Sequence, residues 1–595
     1  MKRQRQLKDQ DCKPTKVAVQ VWRVRLVQLG FFALFGLIFF KTLFLQTMMA
    51  SSLRKVASQQ RRHCTPTTIF RGEITDRNGV VLAVDTARYD IFLRPKDLKA
   101  SEEQLRELAR ILRLDQEKLQ SKTEKKYISK IASSISRGKA DAVAQLKILG
   151  LDIIPTNFRE YPHKELAAHL LGFVSWDASG QGGIEQYLNN SLSSAKTEAS
   201  SVVSRGDGKP IIRQATLKPI INSAFGKQVE LTIDSKLQYK VEEILNSNLT
   251  RFQAKRATAI VMVPQTGEIL AWANSPSFDP NHYGEYPPEQ TSNWAISQVY
   301  EPGSTFKVVT VASALQLGAI KPDFKYVDEG KIKIDNRIIR NHDYKPGKVK
   351  EIGLVDLFRY SSNTAAAAIG ARMQPDAFYK ELIKFGIAQK TGIEIPGESS
   401  GSLREAKKWK EIDLATTSFG QGAVAVTPIQ LVGAINTIAN KGTWIQPHLI
   451  KTIKSADGRH VVQTNKIVKR RVVSSGVSKK VSEMLAESIK KNLEEDESYI
   501  AGNIPGYEVA GKTGTAQKYC PKLRAYCPGE TIASFIGFFP ADNPSFLVLV
   551  VVDSPAAAGG WGNTVAGPIF NQIGEVVLKI YPQGLKNEKA FALFQ

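Results

Sequence analysis

Residues 301–317 read EPGSTFKVVTVASALQL: a Pro-Gly step, a serine, a lysine three positions on, then apolar residues at helical spacing. Positions i and i+3 of a helix share a face, so Lys307 reaches back one turn to Ser304. A serine hydroxyl is a weak nucleophile and needs a base beside it, which this lysine supplies. Pro302 and Gly303 put Ser304 at a helix start, where free backbone N–H groups favour a developing anion. Taken alone, the same pattern fits an ordinary helix start. Ser-x-x-Lys occurs five times in the 595 residues, beginning at Ser52, Ser136, Ser193, Ser304 and Ser488. Ser52 sits beside an apolar segment, Ser136 and Ser193 lie in polar stretches, and Ser488 has helical context without an ordered series of motifs after it.

Two further triplets follow Ser304. Ser361-Ser362-Asn363 stands between GLVDLFRY and TAAAAIGARM. Alone it reads equally as an N-cap; in a site, its first serine relays protons and Asn363 holds a substrate amide or the lysine. Lys-Thr-Gly occurs twice, at Lys390 and at Lys512. Lys390 opens KTGIEIPGESSG, a loop pattern. Lys512 follows the apolar strand YEVA and continues into Thr515 and Ala516. Gly514 leaves an edge strand uncrowded there, so an extended peptide can lie antiparallel against it. Lys512, Thr513 and Thr515 offer charge and hydroxyl donors to a carboxylate. Order, spacing and context together select Ser304-Lys307, Ser361-Asn363 and Lys512-Gly514.

Around these motifs the pattern is α+β. Residues 236–249 are an amphipathic helix, 257–263 and 268–273 are paired strands, and 507–510, 531–539 and 546–552 are strands before a helix at 567–580. Strands at both ends with helices between describe one sheet assembled from the two ends of a domain. Upstream, RGEITDRNGVVLAV (71–84) is a hairpin around Asn78-Gly79. Residues 101–147 have the pattern of small amphipathic helices, and 229–233 is a strand. The expected organisation is a basic cytoplasmic tail (1–25), a transmembrane anchor (26–48), an elongated α+β pedestal (51–235), a catalytic domain (236–583) and a C-terminal tail (584–595). Length alone calls for more than one core.

Residues 26–40 carry no charge, and only Lys41 interrupts the apolar run to residue 50. A lysine near the boundary can extend its ammonium to the head groups. Residues 1–25 hold eight Lys/Arg against two Asp, which favours a cytoplasmic N-terminus. MMASS is a poor cleavage site, so the span reads as an uncleaved anchor, with a buried helix as the alternative. The net charge of +24 invites an anionic partner such as lipid head groups or acidic wall polymer. No zinc finger, RNA-recognition signature or long Lys/Arg block points to nucleic acid. Outside the cytoplasm, Cys520 and Cys527 in KYCPKLRAYCPG favour a local disulfide over two free thiols or a zinc site. Cys12 falls inside, and Cys64 is left over.

The three motifs resemble the transpeptidase domain of penicillin-binding proteins. SFGQG (418–422), VTPIQL (426–431) and GIEIPGESSG (392–401) are similar to landmarks of that family, while RGEITDRNG and GGIEQ resemble the pedestal of its class B, monofunctional members. No glycosyltransferase segment of the class A kind is recognisable, and no room remains after residue 567 for PASTA repeats. EPGSTFK, VAGKTGTAQK and the compact length are more similar to division-type (FtsI-like) enzymes. Elongation-type members, some with a zinc site between the first two motifs, are the alternative; residues 308–360 hold no cysteine and only His342.

The resemblance implies D,D-transpeptidation of peptidoglycan stem peptides carried on lipid-linked nascent glycan, with no metal or organic cofactor and with β-lactams as trapping mimics. It implies Ser304 as nucleophile, Lys307 as a neutral base with its pKa lowered by burial and by Lys512, and Ser361 as proton carrier to the leaving D-alanine. Asn363 orients the donor, Ser304 and Thr515 N–H groups hold the oxyanion, and Thr513, Gly514 and Thr515 bind the terminal carboxylate. A membrane glycan polymerase of the FtsW type and other divisome proteins are the implied partners. A D,D-carboxypeptidase or β-lactamase, and a non-catalytic scaffold that binds β-lactams, are the rival readings.

Overall fold

The computed structural model describes residues 21–50, 70–193 except Lys126, and 226–582 except Pro521, Lys522 and Arg524. Cys12, Ser52, Cys64, the basic residues 1–20, most of the polar stretch after 193 and the tail 584–595 lie outside the described residues. The chain divides into two units.

The first unit contributes α1 (Val21–Thr47). Its apolar portion, Arg25–Thr47, is 23 residues long, and no residue of its most apolar window is buried. At ~1.5 Å per residue that is about 35 Å, enough for a ~30 Å hydrocarbon core. Length and composition fit a single-pass membrane anchor.

The second unit begins with β1 (Ile74–Thr75) and β2 (Val81–Leu93), antiparallel around the expected turn, in which Gly79 takes φ +84°. α2 (Glu102–Leu112) and α3 (Gln116–Thr123) follow as amphipathic helices, but the next segment is strand β3 (Ser129–Ile135). Ser129, Lys130, Ala132 and Ile135 pair with β2, so tertiary pairing overrides the helical pattern read through this region. α4 (Arg137–Gln145), β4 (Leu151–Glu160) and β5 (Gln228–Leu231) complete this part.

Two motifs far apart in sequence meet here. Arg71 of RGEITDRNG is ion-paired with the fully buried Glu185 of GGIEQ, and Arg159 donates to the same carboxylate at 2.7 Å. Asp76 takes hydrogen bonds from Asn78 N and Val80 N, each 2.8 Å, which closes the turn. Its other oxygen accepts from Ser235 N and Oγ at 3.0 and 2.7 Å, tying the turn to the start of α5 (Ser235–Arg251).

Then come β6 (Arg256–Met262), β7 (Ile269–Ser275), α6 (Lys307–Gln316), the hairpin β8 (Lys331–Ile334) and β9 (Arg337–Arg340), α7 (Leu354–Arg359), α8 (Asn363–Gly370) and α9 (Pro428–Ala439). β10 (Ile450–Lys454), β11 (Val461–Gln463), α10 (Ser475–Glu495), β12 (Ala510–Cys520), β13 (Ala525–Phe539), β14 (Phe546–Asp553) and α11 (Ala566–Ile580) follow. The fold is α+β. Its central feature is an antiparallel five-stranded sheet, β12-β13-β14-β6-β7, built from both ends of the domain.

β14 reads FLVLVVVD and is buried at every position. Leu547, Leu549 and Val551 pack with residues of α6 and α9, while Val548, Val550 and Val552 pack with α5 and α11 on the opposite face. A fully buried Val or Leu contributes roughly 1.5–3 kcal/mol, so this strand is a rigid spine two positions from the sheet edge. That edge is β12. A second sheet, β11-β10-β5-β1-β2-β3 with β4 on β2, joins β10 to β5 and so runs across the boundary expected at 235.

Candidate active site

Ser304 sits in a single 3-10 turn, Gly303–Phe306, that runs straight into α6. The bed of this turn is the SFGQG segment. Gly303 N donates to Gly420 O at 2.9 Å, and a Cβ on Gly420 would lie 2.3 Å from Gly303 O, so only glycine fits. Thr310 Oγ1 donates to Ser418 O at 2.8 Å, and Gly422 N donates to Glu301 at 3.1 Å. VTPIQL supports the next layer: Thr427 caps α9, and Gln430 Nε2 donates to Gln389 O and Ser400 O, each at 2.7 Å. The landmark motifs are thus the scaffold under the serine.

Lys307 is wholly buried. Its Nζ lies 3.0 Å from Ser304 Oγ and 3.2 Å from Ser361 Oγ, and it donates to Asn363 Oδ1 at 2.8 Å and to Ser361 O. Burial, helped by the charge of Lys512, holds the pKa of Lys307 well below the usual lysine value; Asp328 pulls weakly the other way. Burial alone brings Lys512 down to about 7.

The Ser361 turn is held from behind. Ser361 takes φ +53°, an uncommon conformation for a residue with a Cβ. The N-cap of α8 is Ser362 rather than Ser361, its hydroxyl accepting from Ala365 N at 3.0 Å and donating to Asp328 Oδ2 at 2.6 Å. Thr364 Oγ1 donates to Asp328 Oδ1 at 2.6 Å, and Asn341 Oδ1 accepts from Asn363 N at 2.8 Å. Asp328 and Asn341 are both buried, and the sequence reading named neither. Nothing in their local pattern separates them from other loop polar residues.

Lys512, Thr513 and Thr515 lie on the edge strand β12, as expected, although the strand begins only at Ala510, the last residue of YEVA. Lys512 is buried, and its Nζ lies 3.2 Å from both Thr513 O and Thr513 Oγ1. Thr515 Oγ1 accepts from Gly562 N at 3.0 Å, which leaves its hydroxyl hydrogen free to donate. Gly514 needs a correction. A Cβ there would lie 2.4 Å from Ser534 Oγ and 2.9 Å from Thr305 Cγ2. The missing side chain makes room for the turn that carries Ser304.

Ser304, Ser361, Asn363, Thr513 and Thr515 therefore line one cleft of about 460 Å³, with Lys307 buried against Ser304 and Ser361 and Lys512 buried against Thr513. The other matches are elsewhere: Ser136 precedes α4, Ser488 is buried within α10, and Lys390 is exposed. His342 and Trp561 also line the cleft, their rings 5.9 Å apart, and were not foreseen. KYCPKLRAYCPG, read as a loop, is the tip of the β12–β13 hairpin, where Cys520 and Cys527 form a disulfide with Cα atoms 5.3 Å apart.

The family model "Penicillin binding protein transpeptidase domain" matches residues 257–575, and "Penicillin-binding Protein dimerisation domain" matches residues 67–231. A peptidoglycan D,D-transpeptidase FtsI homolog from Mesostigma viride is 32% identical over 581 residues, 94% of this chain and 96% of the relative. Stage V sporulation protein D of Bacillus subtilis is 33% identical, covering 92% of this chain and 84% of that one. Among solved structures, penicillin-binding protein 3 of Mycobacterium tuberculosis in complex with aztreonam aligns with a TM-score of 0.67 and 25% identity, over 87% of this chain and 97% of that one.

Proposed function

The chain belongs to the class B penicillin-binding proteins, as an FtsI-like peptidoglycan D,D-transpeptidase, and we propose that it cross-links stem peptides through an acyl-enzyme on Ser304 during septal wall synthesis. The observation that carries this reading is how Lys307 is used. A neutral lysine has two N–H bonds and one lone pair. Ser361 O and Asn363 Oδ1 take the two N–H bonds, which directs the lone pair at the Ser304 hydroxyl, 3.0 Å away. The lowered pKa favours that neutral form.

Ser304 Oγ attacks the carbonyl of the penultimate D-alanine and yields its proton to Lys307. Ser361 Oγ, 3.2 Å from Nζ, relays the proton to the departing D-alanine amine. Backbone N–H groups of Ser304 and Thr515 hold the oxyanion, each such donor being worth about 100- to 1000-fold. Thr513 and Thr515, with the charge of Lys512, hold the terminal carboxylate, and Asn363 orients the donor amide. An amine from a second stem peptide then resolves the acyl-enzyme. β-Lactams enter as mimics of the D-Ala-D-Ala end.

The septal role is supported by relatives named FtsI homolog and PenA, and by the absence of cysteine in residues 308–360. α1 is the natural contact for a glycan polymerase of the FtsW type in the same membrane. Full-length protein supplied with such a polymerase and lipid-linked precursor should yield cross-linked muropeptides, and Ser304→Ala should yield none; undiminished cross-links in the variant would refute the assignment. A fluorescent fusion confined to the side wall of dividing cells would overturn the septal part.

A further inference from the structure

The catalytic cleft extends beyond the groups that acylate Ser304. Its lining also holds Asn492, Asp496 and Tyr499, from the end of α10 and just after it, Asn563 of the loop after β14, and Arg359, whose Nε donates to Asn492 Oδ1 at 3.4 Å; these linked residues form one lobe. This lobe is built, not frayed. Asn563 Oδ1 accepts from Ile500 N and Ala501 N, each at 3.1 Å, and its Nδ2 donates to Ser498 O at 3.2 Å. Asp496 Oδ1 accepts from Ser498 N at 3.0 Å and Ser498 Oγ at 2.6 Å. No step of acylation uses these residues.

Strand geometry gives the lobe its place in the reaction. A donor peptide antiparallel to β12, with its carboxylate at Thr513 and Thr515, sends its upstream residues toward Gln517 and Cys520. Its terminal D-alanine then points to the Lys512 end of the strand. Residues 496–509 lead directly into that end, carrying Asp496 and Tyr499 with them. The amine that leaves and the amine that arrives occupy the same position on the acyl carbonyl, by microscopic reversibility.

We propose that this lobe is the acceptor subsite, which receives the free amine of the second stem peptide, with the Asp496 carboxylate facing the arriving ammonium and Asn492 and Tyr499 bordering its path. The proposal rests on the reading of Ser304 as the acylated residue. The ammonium gives one proton to solvent. The neutral amine forms the new C–N bond as the C–O bond to Ser304 breaks. The second amine proton passes through Ser361 and Lys307 to Ser304 Oγ, which restores the resting hydroxyl and neutral lysine.

The test uses full-length protein, a thioester donor ending in D-alanine, and a stem peptide that bears a free side-chain amine as acceptor. The quantity read is aminolysis product over hydrolysis product. For Asp496→Asn and Asn492→Ala, the ratio at low acceptor should fall about tenfold while acylation by fluorescent penicillin stays within about twofold of the parent. Because the ratio counts products per acyl-enzyme, a partly folded variant still reports. A ratio that holds in both variants, whatever their acylation rate, overturns the proposal. If the parent protein forms no acyl-enzyme on Ser304, the underlying reading has failed, and this appears before any acceptor is added.

Discussion

Lys307 Nζ donates to Asn363 Oδ1 at 2.8 Å, and among the described residues no carboxylate lies within ion-pair distance of this buried lysine. A neutral amide partner fixes the position of the amine without stabilising its charged form, unlike a carboxylate. Lys307→Ala should lower the rate of β-lactam acylation by about 100- to 10,000-fold, the range for loss of a general base. Stopped-flow acylation with a chromogenic cephalosporin, alongside circular dichroism to verify folding, reads this directly. An acylation rate near that of the parent would contradict a base role.

The two buried lysines titrate in opposite directions of activity. Below the lowered pKa of Lys307 the lone pair is protonated, so acylation falls as pH drops. Above about 7, Lys512 loses the charge that attracts the substrate carboxylate, so acylation falls again as pH rises. The second-order acylation constant reports the free enzyme, and it should be bell-shaped with its upper limb near 7. Lys512→Arg, which keeps its charge, should remove the upper limb. A parent profile that climbs steadily from neutral to alkaline pH would exclude this division of labour.

Gly514→Ala places a methyl group against Ser534 Oγ and Thr305 Cγ2. A displacement of about 1 Å in the serine turn costs on the order of 100-fold in rate. Acylation should fall by that order, and Thr305→Ser with Ser534→Ala in the same chain should restore part of it. Were the glycine needed only to admit substrate, the added substitutions would restore nothing.

The Cys520–Cys527 bridge closes a loop with a sequence separation of 7, and in the chain-entropy account such a bridge is worth about 2 kcal/mol. Intact-mass analysis after alkylation without reductant should find both thiols blocked. Cys520→Ser with Cys527→Ser should speed amide exchange at the tip of the β12–β13 hairpin and change Ser304 acylation only a few-fold. Alkylation of Cys520 and Cys527 themselves, beyond that of Cys12 and Cys64, would show that the bridge does not form.

Local patterns were legible in the sequence and long-range ones were not. Ser304 and Lys307 are one helical turn apart, so spacing alone relates them. The alternation of Lys512, Gly514 and Ala516 with Thr513 and Thr515 gives a strand with two faces. β14 announces itself as a continuous apolar run because both of its faces are buried. Asp328 and Asn341 escaped because their partners, Ser362 and Thr364, are brought to them only by the fold. The pairing of β10 with β5 leaves no local mark for the same reason. Gly514 was found for the wrong reason, since the atoms that crowd it belong to Thr305 and Ser534.

The central claim is that Ser304 carries the acyl group. Full-length protein treated with a penicillin and digested should give one peptide whose mass is raised by the intact drug, with fragmentation placing the adduct on Ser304. Ser304→Ala should give no such peptide. An adduct on another residue, or equal labelling of the variant, would contradict the account.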